Sequence, residues 1–287
     1  MFRDFLWLVL VGLMVGWPAA DGLAQNRASE LTVLTFNVRY DNPSDTLRWA
    51  DRLQEVADAV RFYDIAGVQE ALPHQLGDLE AALEHMDAYG VGRDADGGGE
   101  ACPIFWRRDR FDLLHAETRW LSLTPNVPGS VGWDADLPRI ASLVLLHDRI
   151  TGKRIRVLNT HWSHTGQQAR QAAAALCAGW MGESAADEVH LLIGDFNEEP
   201  GGPVHTYLSE LGTLHDAYAN PRTRCRRTFG TYTTFFTDRT VGAPRIDYIW
   251  VDGADVAWHC VDEVIKWGVF ISDHAPVHAI LQIAAAP

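Results

Sequence analysis

VHLLIGDFNEEP, residues 189–200, reads as a buried strand that ends in a turn carrying two polar side chains. The run from Val189 to Ile193 is short and largely apolar. Gly194 closes it, and Asp195 and Asn197 follow with Phe196 between them. An α/β sheet delivers functional groups in this way, at the carboxyl end of a buried strand. Asp195 offers a carboxylate that can orient or deprotonate a water, and Asn197 an amide that can donate to a phosphate oxygen. Along an extended chain, positions two apart point to the same side. A plainer reading, in which Asp195 caps a turn and Asn197 merely follows it, is equally open on this stretch alone.

The same grammar recurs through the chain. LTVLTFN, residues 31–37, is a β-prone run that ends in Asn37, which can ligate a hard metal through its carbonyl or hold a neighbouring carboxylate. DIAGVQE, residues 64–70, ends in Glu70, a carboxylate suited to Mg²⁺. Residues 154–160 form a strand that presents Asn159 and His161, with His164 just beyond. His161 at a strand tip could act as a general acid, a general base or a charge stabiliser. RIDYIWV, residues 245–251, places Asp247 inside an apolar strand, where an unpartnered carboxylate is costly and a His is the natural partner. SDHAPVHAI, residues 272–280, sets Asp273 and His274 before a final strand.

Helical periodicity separates these strands. Residues 48–63 carry Trp49, Leu53, Val56, Ala57 and Val60 on one face, and further helices span 73–86, 165–181 and 203–211. In the third helix Ala172, Leu176 and Trp180 are expected to face inward. Alternating strands and helices predict a layered α/β domain. Residues 102–106 and 111–120 read as an antiparallel pair joined at 107–110, and Arg139 opens another strand over 140–147.

Three loops are candidates for substrate contact. Residues 90–100 are Gly- and Asp-rich but lack the Lys-Ser/Thr of a P-loop, so a surface loop is expected, with Arg93 and Glu100 able to border a site. Residues 121–138 form a long loop with Trp133, which could stack on a base or sugar or simply pin the loop. Arg139, which follows it, could bind a phosphate or form a surface ion pair. RTRCRR, residues 222–227, is the one basic cluster, and the aromatic run 228–236 could form a hairpin near substrate.

The chain has 287 residues and a net charge of −14. Such acidity opposes tight binding to duplex nucleic acid, whose affinity comes from neutralising phosphates. Residues 1–24 carry Arg3, a short apolar run and small residues before Ala24, the pattern of a cleaved secretory leader. The run is short for a membrane span. Residues 25–287 then form a single domain, expected to be a secreted or periplasmic monomer. Cys102, Cys177, Cys225 and Cys260 show no metal-ligand spacing, and an oxidising compartment permits disulfides whose pairing stays open. Cys177 lies on an apolar helical face and reads equally as a free thiol.

Taken together, TFNVRYD, GVQE, NTHWSH, GDFN, RIDYI and SDHAPV, in that order, resemble the endonuclease/exonuclease/phosphatase superfamily. The segments RYDNP, WLSLTP and PGSVGWDADLPR are most similar to a bacterial branch near the nocturnin and carbon-catabolite-repressor deadenylases. The resemblance implies a DNase I-like four-layer α/β/β/α sandwich, two packed mixed sheets flanked by helices. It also implies metal roles for Asn37, Glu70 and Asp273, and catalytic roles for His161, Asp195, Asn197, Asp247 and His274. Ser163 stands where the family often has Asp. Arg139 and Trp133 remain candidates for substrate binding.

These groups suit Mg²⁺- or Mn²⁺-dependent hydrolysis of a phosphoester. Such chemistry needs an in-line water, an acceptor for its proton and positive charge around phosphorus. Neighbouring carboxylates would make the histidines cationic. The expected substrate is a small molecule, a lipid head group or a single-stranded nucleic acid. The competing reading is a secreted phosphoester-binding module that keeps the fold without turnover.

Overall fold

The computed structural model of the chain describes residues 30–182, 188–219, 222–225, 230–235 and 243–284. The leader, residues 1–24, lies outside the described residues. In chain order the strands are β1 (Glu30–Asn37), β2 (Ile65–Gln69), β3 (Met86–Tyr89), β4 (Ile104–Arg107), β5 (Phe111–Trp120), β6 (Ile140–Asp148), β7 (Arg154–His161) and β8 (Glu188–Asp195). They continue as β9 (His215–Asp216), β10 (Thr223–Arg224), β11 (Asp247–Asp252), β12 (Asp255–Val261), β13 (Ile265–Lys266), β14 (Val269–Phe270) and β15 (Val277–Gln282). The helices are α1 (Trp49–Val60), α2 (Pro73–Ala82), α3 (Gln167–Gly182) and α4 (Pro203–Leu211).

Two mixed sheets result. One runs β10-β12-β15-β1-β2-β4-β3, the other β5-β6-β7-β8-β11-β9. Every residue of β8 is buried, as its largely apolar run suits a strand covered on both faces. Between the sheets lies a core that includes Val33, Ile65, Val157, Leu191, Ile193 and Ile249. Outside the first sheet, α1 and α2 add Trp49, Val56, Val60 and Leu79 to a second core. Outside the other, α3 and α4 add Cys177, Trp180, Val204 and Leu208 to a third. The molecule is thus the four-layer α/β/β/α sandwich that the motifs implied.

Local pattern misread three details. Residues 102–106 and 111–120 do not pair: β4 joins β2 and β3 in one sheet, and β5 joins β6 in the other. The chain crosses between sheets at the 107–110 turn, where buried Arg110 donates to both Asp148 oxygens at 2.9 and 2.8 Å and its Nη1 lies 2.9 Å from Asp64. A tight turn between two β-prone runs looks like a hairpin unless the buried cation is known to tie it to a third segment. The second helix stops at Ala82, because Met86 opens β3. In α3 the fully buried face is Ala169, Ala173, Ala174, Cys177, Trp180 and Met181, with Ala172 and Leu176 at its edge.

The cysteines divide cleanly. Cys225 and Cys260 form a disulfide that links the β10 end to β12, while Cys102 and Cys177 are free and buried. Asn159 faces the inter-sheet core. Its amide donates to Val68 O and Pro103 O at 2.8 Å and its oxygen accepts from Gln69 at 2.6 Å, so it stitches the sheets together.

Candidate active site

Strands β1 and β2 run parallel, as do β7 and β8, so Asn37, Glu70, His161 and Asp195 all arrive at carboxyl ends. Asn37 joins the two sheets there. Its Nδ2 donates to Glu70 Oε1 and to Asp195 Oδ2, both at 3.0 Å. Its carbonyl oxygen accepts the Arg39 N–H at 3.0 Å, so the side chain serves as a holder of carboxylates. Glu70 sits one residue past β2 with φ 64°, and its second oxygen accepts the Tyr40 N–H at 3.1 Å.

Asp195 is the last residue of β8 and lies in register with His161 on one side and Asp247 on the other. Gly194 precedes it at φ 141°, and a Cβ there would stand 2.0 Å from Thr160 O, so only glycine admits this approach. Strand alternation stops at Asp195. Asn197 returns to the site through a left-handed residue, φ 49°, with its N–H on Asp195 Oδ1 at 3.0 Å and its Nδ2 on Trp162 O at 3.0 Å. Three of the non-glycine residues with positive φ, Arg39, Glu70 and Asn197, therefore line one cavity. Strain of this kind collects where the surroundings over-determine a functional geometry.

His274 lies between two carboxylates. Its Nδ1 is 2.9 Å from Asp247 Oδ2 and its Nε2 is 3.6 Å from Asp195 Oδ2. Burial alone would depress its pKa, but Asp247 and Asp195 outweigh burial and raise it to about 10. The His partner expected for the lone buried Asp247 is thus His274. Burial, then the charge of Asp247, pushes Asp195 up to about 7. A carboxylate of that basicity is matched to taking a proton from water near neutral pH. His161 Nε2 stands 3.5 Å from Asp195 Oδ2, and its Nδ1 is 4.0 Å from Glu100. Burial, then Arg139, His274 and Arg93, holds His161 well below its ordinary pKa. His274 is thus held toward its charged form, and His161 toward its neutral form, chiefly by burial with Arg139 and His274 adding to it.

The cavity, of about 680 Å³, is lined by these groups and by Arg39, Arg93, Arg139, His164, Tyr232 and Asp273, among others. Arg139 is buried and donates to His164 Nδ1 at 3.0 Å, while its Nη1 has no hydrogen-bond partner among the described residues. Arg93 and Glu100 form an ion pair at 2.7 Å in the wall. Trp133 is not among the lining residues; it is 41% exposed, and its loop contributes Leu137 instead. That loop is anchored by Asp134, whose carboxylate caps the first turn of α3 through Gln168 N and Ala169 N at 3.2 and 2.7 Å. Arg222, in the basic cluster, pairs with exposed Asp255, and Arg226 and Arg227 lie outside the described residues. Tyr232 meets His274 edge-on at 5.2 Å, and the hairpin expected over 228–236 is not formed by its described residues, 230–235, which make only an isolated antiparallel bridge from Tyr232 to His274; 228, 229 and 236 lie outside the described residues. Arg39 and Tyr232 carried no independent signal beyond their places in TFNVRYD and in the aromatic run.

Asp195, Asp247 and His274 each bring a ligand atom within 4.8 Å of the others, so the cluster could hold a metal. Both ring nitrogens of His274 already face carboxylates, however, and a cationic imidazole repels a metal ion. The oxygen donors of Glu70 fit a hard ion better. Glu70 raises the pKa of Glu100 and of Asp273, after burial, which is the crowding of negative charge that a divalent cation would relieve.

A sequence model described as the Endonuclease/Exonuclease/phosphatase family matches residues 34–274. A structure of a family protein from Bacteroides thetaiotaomicron superposes with a TM-score of 0.83 at 34% identity, covering 88% of this chain and 98% of that one. A mannosyl-6-phosphatase from the same organism superposes with a TM-score of 0.81 at 34% identity, over 88% and 99%. Nocturnin of Drosophila melanogaster is 28% identical over 133 residues, which span 44% of this chain but only 19% of that protein.

Proposed function

The chain belongs to the endonuclease/exonuclease/phosphatase family, and from that premise we propose that it is a Mg²⁺- or Mn²⁺-dependent phosphoesterase acting on a phosphate monoester of a small sugar. One observation carries the reading: a base, Asp195, and a protonated His274 share one cavity wall with Glu70, all bound into a single network through Asn37. The mannosyl-6-phosphatase relative supports the monoester, and the net charge of −14 opposes long duplex polyanions.

In this mechanism Asp195 holds the attacking water and takes its proton. Asn37 and the Asn197 N–H fix the carboxylate so that its rotamer is not lost as charge shifts. His274, kept cationic by Asp247, faces the phosphoryl oxygens and offsets the charge that builds on them. Asn197 and Arg139 are the remaining donors to the phosphate, and Tyr232 supplies a flat wall for the sugar. A divalent ion on Glu70 would add Lewis-acid stabilisation of the phosphoryl oxygens. We further propose secretion, on the leader at residues 1–24 and the Cys225–Cys260 disulfide, which suits an oxidising compartment.

The test is hydrolysis with Mg²⁺ or Mn²⁺ and with EDTA, followed as inorganic phosphate release from sugar and inositol phosphates and as release of cleaved products from oligonucleotides and phospholipids. EDTA-sensitive release from a hexose phosphate is expected. Release from oligonucleotides alone would replace the monoester with a diester, and no release from any of them would favour a binding module.

A further inference from the structure

Cys260 and His278 stand opposite one another across the antiparallel β12–β15 pair. Side chains so placed lie on one face of a sheet, and positions two apart along a strand share a face. Asp262, two residues past Cys260, therefore joins them. Val261, Val277 and Ala279 belong to the inter-sheet core, so the trio occupies the outer face. There the side chains converge. His278 Nδ1 is 2.7 Å from Asp262 Oδ2, and one ligand atom from each of Cys260, Asp262 and His278 lies within 4.8 Å of the others. The Tyr63 hydroxyl donates to the same Asp262 oxygen at 3.5 Å, and its ring packs 5.4 Å from that of His278. Asp262 Oδ1 and His278 Nε2 carry no hydrogen bond among the described residues.

Cys225 adds a fourth group. Its N–H donates to His259 O at 3.2 Å, and its Cα lies 5.2 Å from that of Cys260, to which the disulfide joins it. Spacing along the chain hides this set, since 35 residues separate the two cysteines. Two thiolates, an imidazole and a carboxylate make a donor set for tetrahedral Zn²⁺, softer than the oxygen donors that suit Mg²⁺. Zinc bonds of about 2.0–2.3 Å put neighbouring donors about 3.3–3.8 Å apart, so the trio has to close by no more than about 1.5 Å. We propose that, once the Cys225–Cys260 disulfide is reduced, this face binds one Zn²⁺ through both thiolates, Asp262 and His278. Metal and disulfide are then alternative cross-links between the same two segments. None of the four residues lines the catalytic cavity, so the proposal stands apart from the phosphoesterase reading.

Reduction by a phosphine balances simply. Phosphorus gives two electrons and takes the oxygen of a water to become the phosphine oxide, and the two protons of that water leave on the sulfurs. Zn²⁺ then displaces both thiol protons as it binds. Co²⁺ reports such a site, because thiolate ligands give it a near-ultraviolet charge-transfer band that the oxygen and nitrogen donors of the cavity do not.

The full chain, reduced with a phosphine and freed of it without air, should take up one Co²⁺ with this band, and Zn²⁺ should displace it. The oxidised chain should show no band. Cys260→Ser should abolish it, which separates the site from the free thiols Cys102 and Cys177. His278→Ala should weaken Zn²⁺ binding by the reduced chain roughly 100-fold. Zn²⁺ should also raise the melting temperature of the reduced, metal-free wild-type chain, and less so that of His278→Ala. Should His278→Ala fail to fold, Asp262→Asn, one residue beyond β12, carries the same comparison with a loss of roughly 10-fold. No thiolate band in the reduced wild-type chain, a band in the oxidised chain, or undiminished Zn²⁺ affinity in either folded variant would overturn the proposal.

Discussion

Asp247 stands directly opposite Asp195 across the antiparallel β8–β11 pair, and the ring of His274 lies between their carboxylates. Like charges opposite one another on neighbouring strands repel. The buried imidazolium is what lets both acids stay in the same sheet. The pairing therefore serves stability and chemistry together: the sheet register sets the distance, and the distance keeps His274 charged.

Removing Asp247 should expose this dependence. In the wild-type, metal-free protein the His274 ring should remain protonated at pH 8, since it is held near 10. In Asp247→Asn the largest contribution opposing burial is gone, so the ring should be neutral at that pH. Nitrogen chemical shifts of the imidazole report this directly, and a ring still charged at pH 8 would show that Asp195 suffices.

Asp195→Asn and His274→Ala should each reduce turnover by about 10²–10⁴-fold, the range for losing a positioned proton-transfer or charge-stabilising group. Their circular dichroism should match wild type. Wild-type turnover in either variant would remove that residue from the mechanism.

Acid should weaken the protein through Asp216. Burial opposes its ionisation, but His205 and Arg245 hold its pKa down to about 2. Arg245 donates to both of its oxygens, at 3.2 and 2.7 Å. Because the folded value is below the unfolded one, this contribution is fully present above about pH 4 and is lost as pH falls toward 2. It amounts to roughly 2 kcal/mol. Urea unfolding across pH 5 to 2 should show a shallower loss in Asp216→Asn than in wild type.

Arg110→Ala should cost about 3–5 kcal/mol, because it leaves Asp148 and the neighbouring Asp64 with uncompensated charge at the sheet crossover. Arg110→Met should be less harmful only when paired with Asp148→Leu. Denaturant midpoints for the single and double variants measure the difference.

Reduction of the Cys225–Cys260 disulfide, which closes a loop over a separation of 35 residues, should lower unfolding free energy by about 3–4 kcal/mol on chain-entropy grounds. Thermal melts with and without reductant, beside the Cys225→Ser/Cys260→Ser chain, provide the comparison. Identical melting temperatures would mean that the sheet pairing of β12 with β10 and β15 suffices without the disulfide.

Much of the architecture was legible in local pattern. β1, β2, β7, β8 and β11 each announce themselves as apolar runs, and each meets a polar group at one end, so the candidate groups Asn37, Glu70, His161, Asp195 and Asp247 could be named one strand at a time. That reading is robust because a strand's burial and its terminal residue are both properties of a few consecutive positions. The amphipathic stripe of α1 was equally plain, for the same reason.

Partnership and charge were another matter. The chain alone established that strand-end acids, amides and histidines exist, and the order in which they occur. Tertiary structure determined that β4 and β5 belong to different sheets, that Cys225 meets Cys260, and that Asn37 spans from Glu70 to Asp195, 158 residues away from it. It also left Trp133 outside the cavity, brought Arg39 into it, and placed His274 between carboxylates that raise its pKa while burial and Arg139 lower that of His161. Proton affinity and ligand geometry depend on which charges lie within a few ångströms and on how much water remains between them, and neither is written in the spacing of residues along the chain.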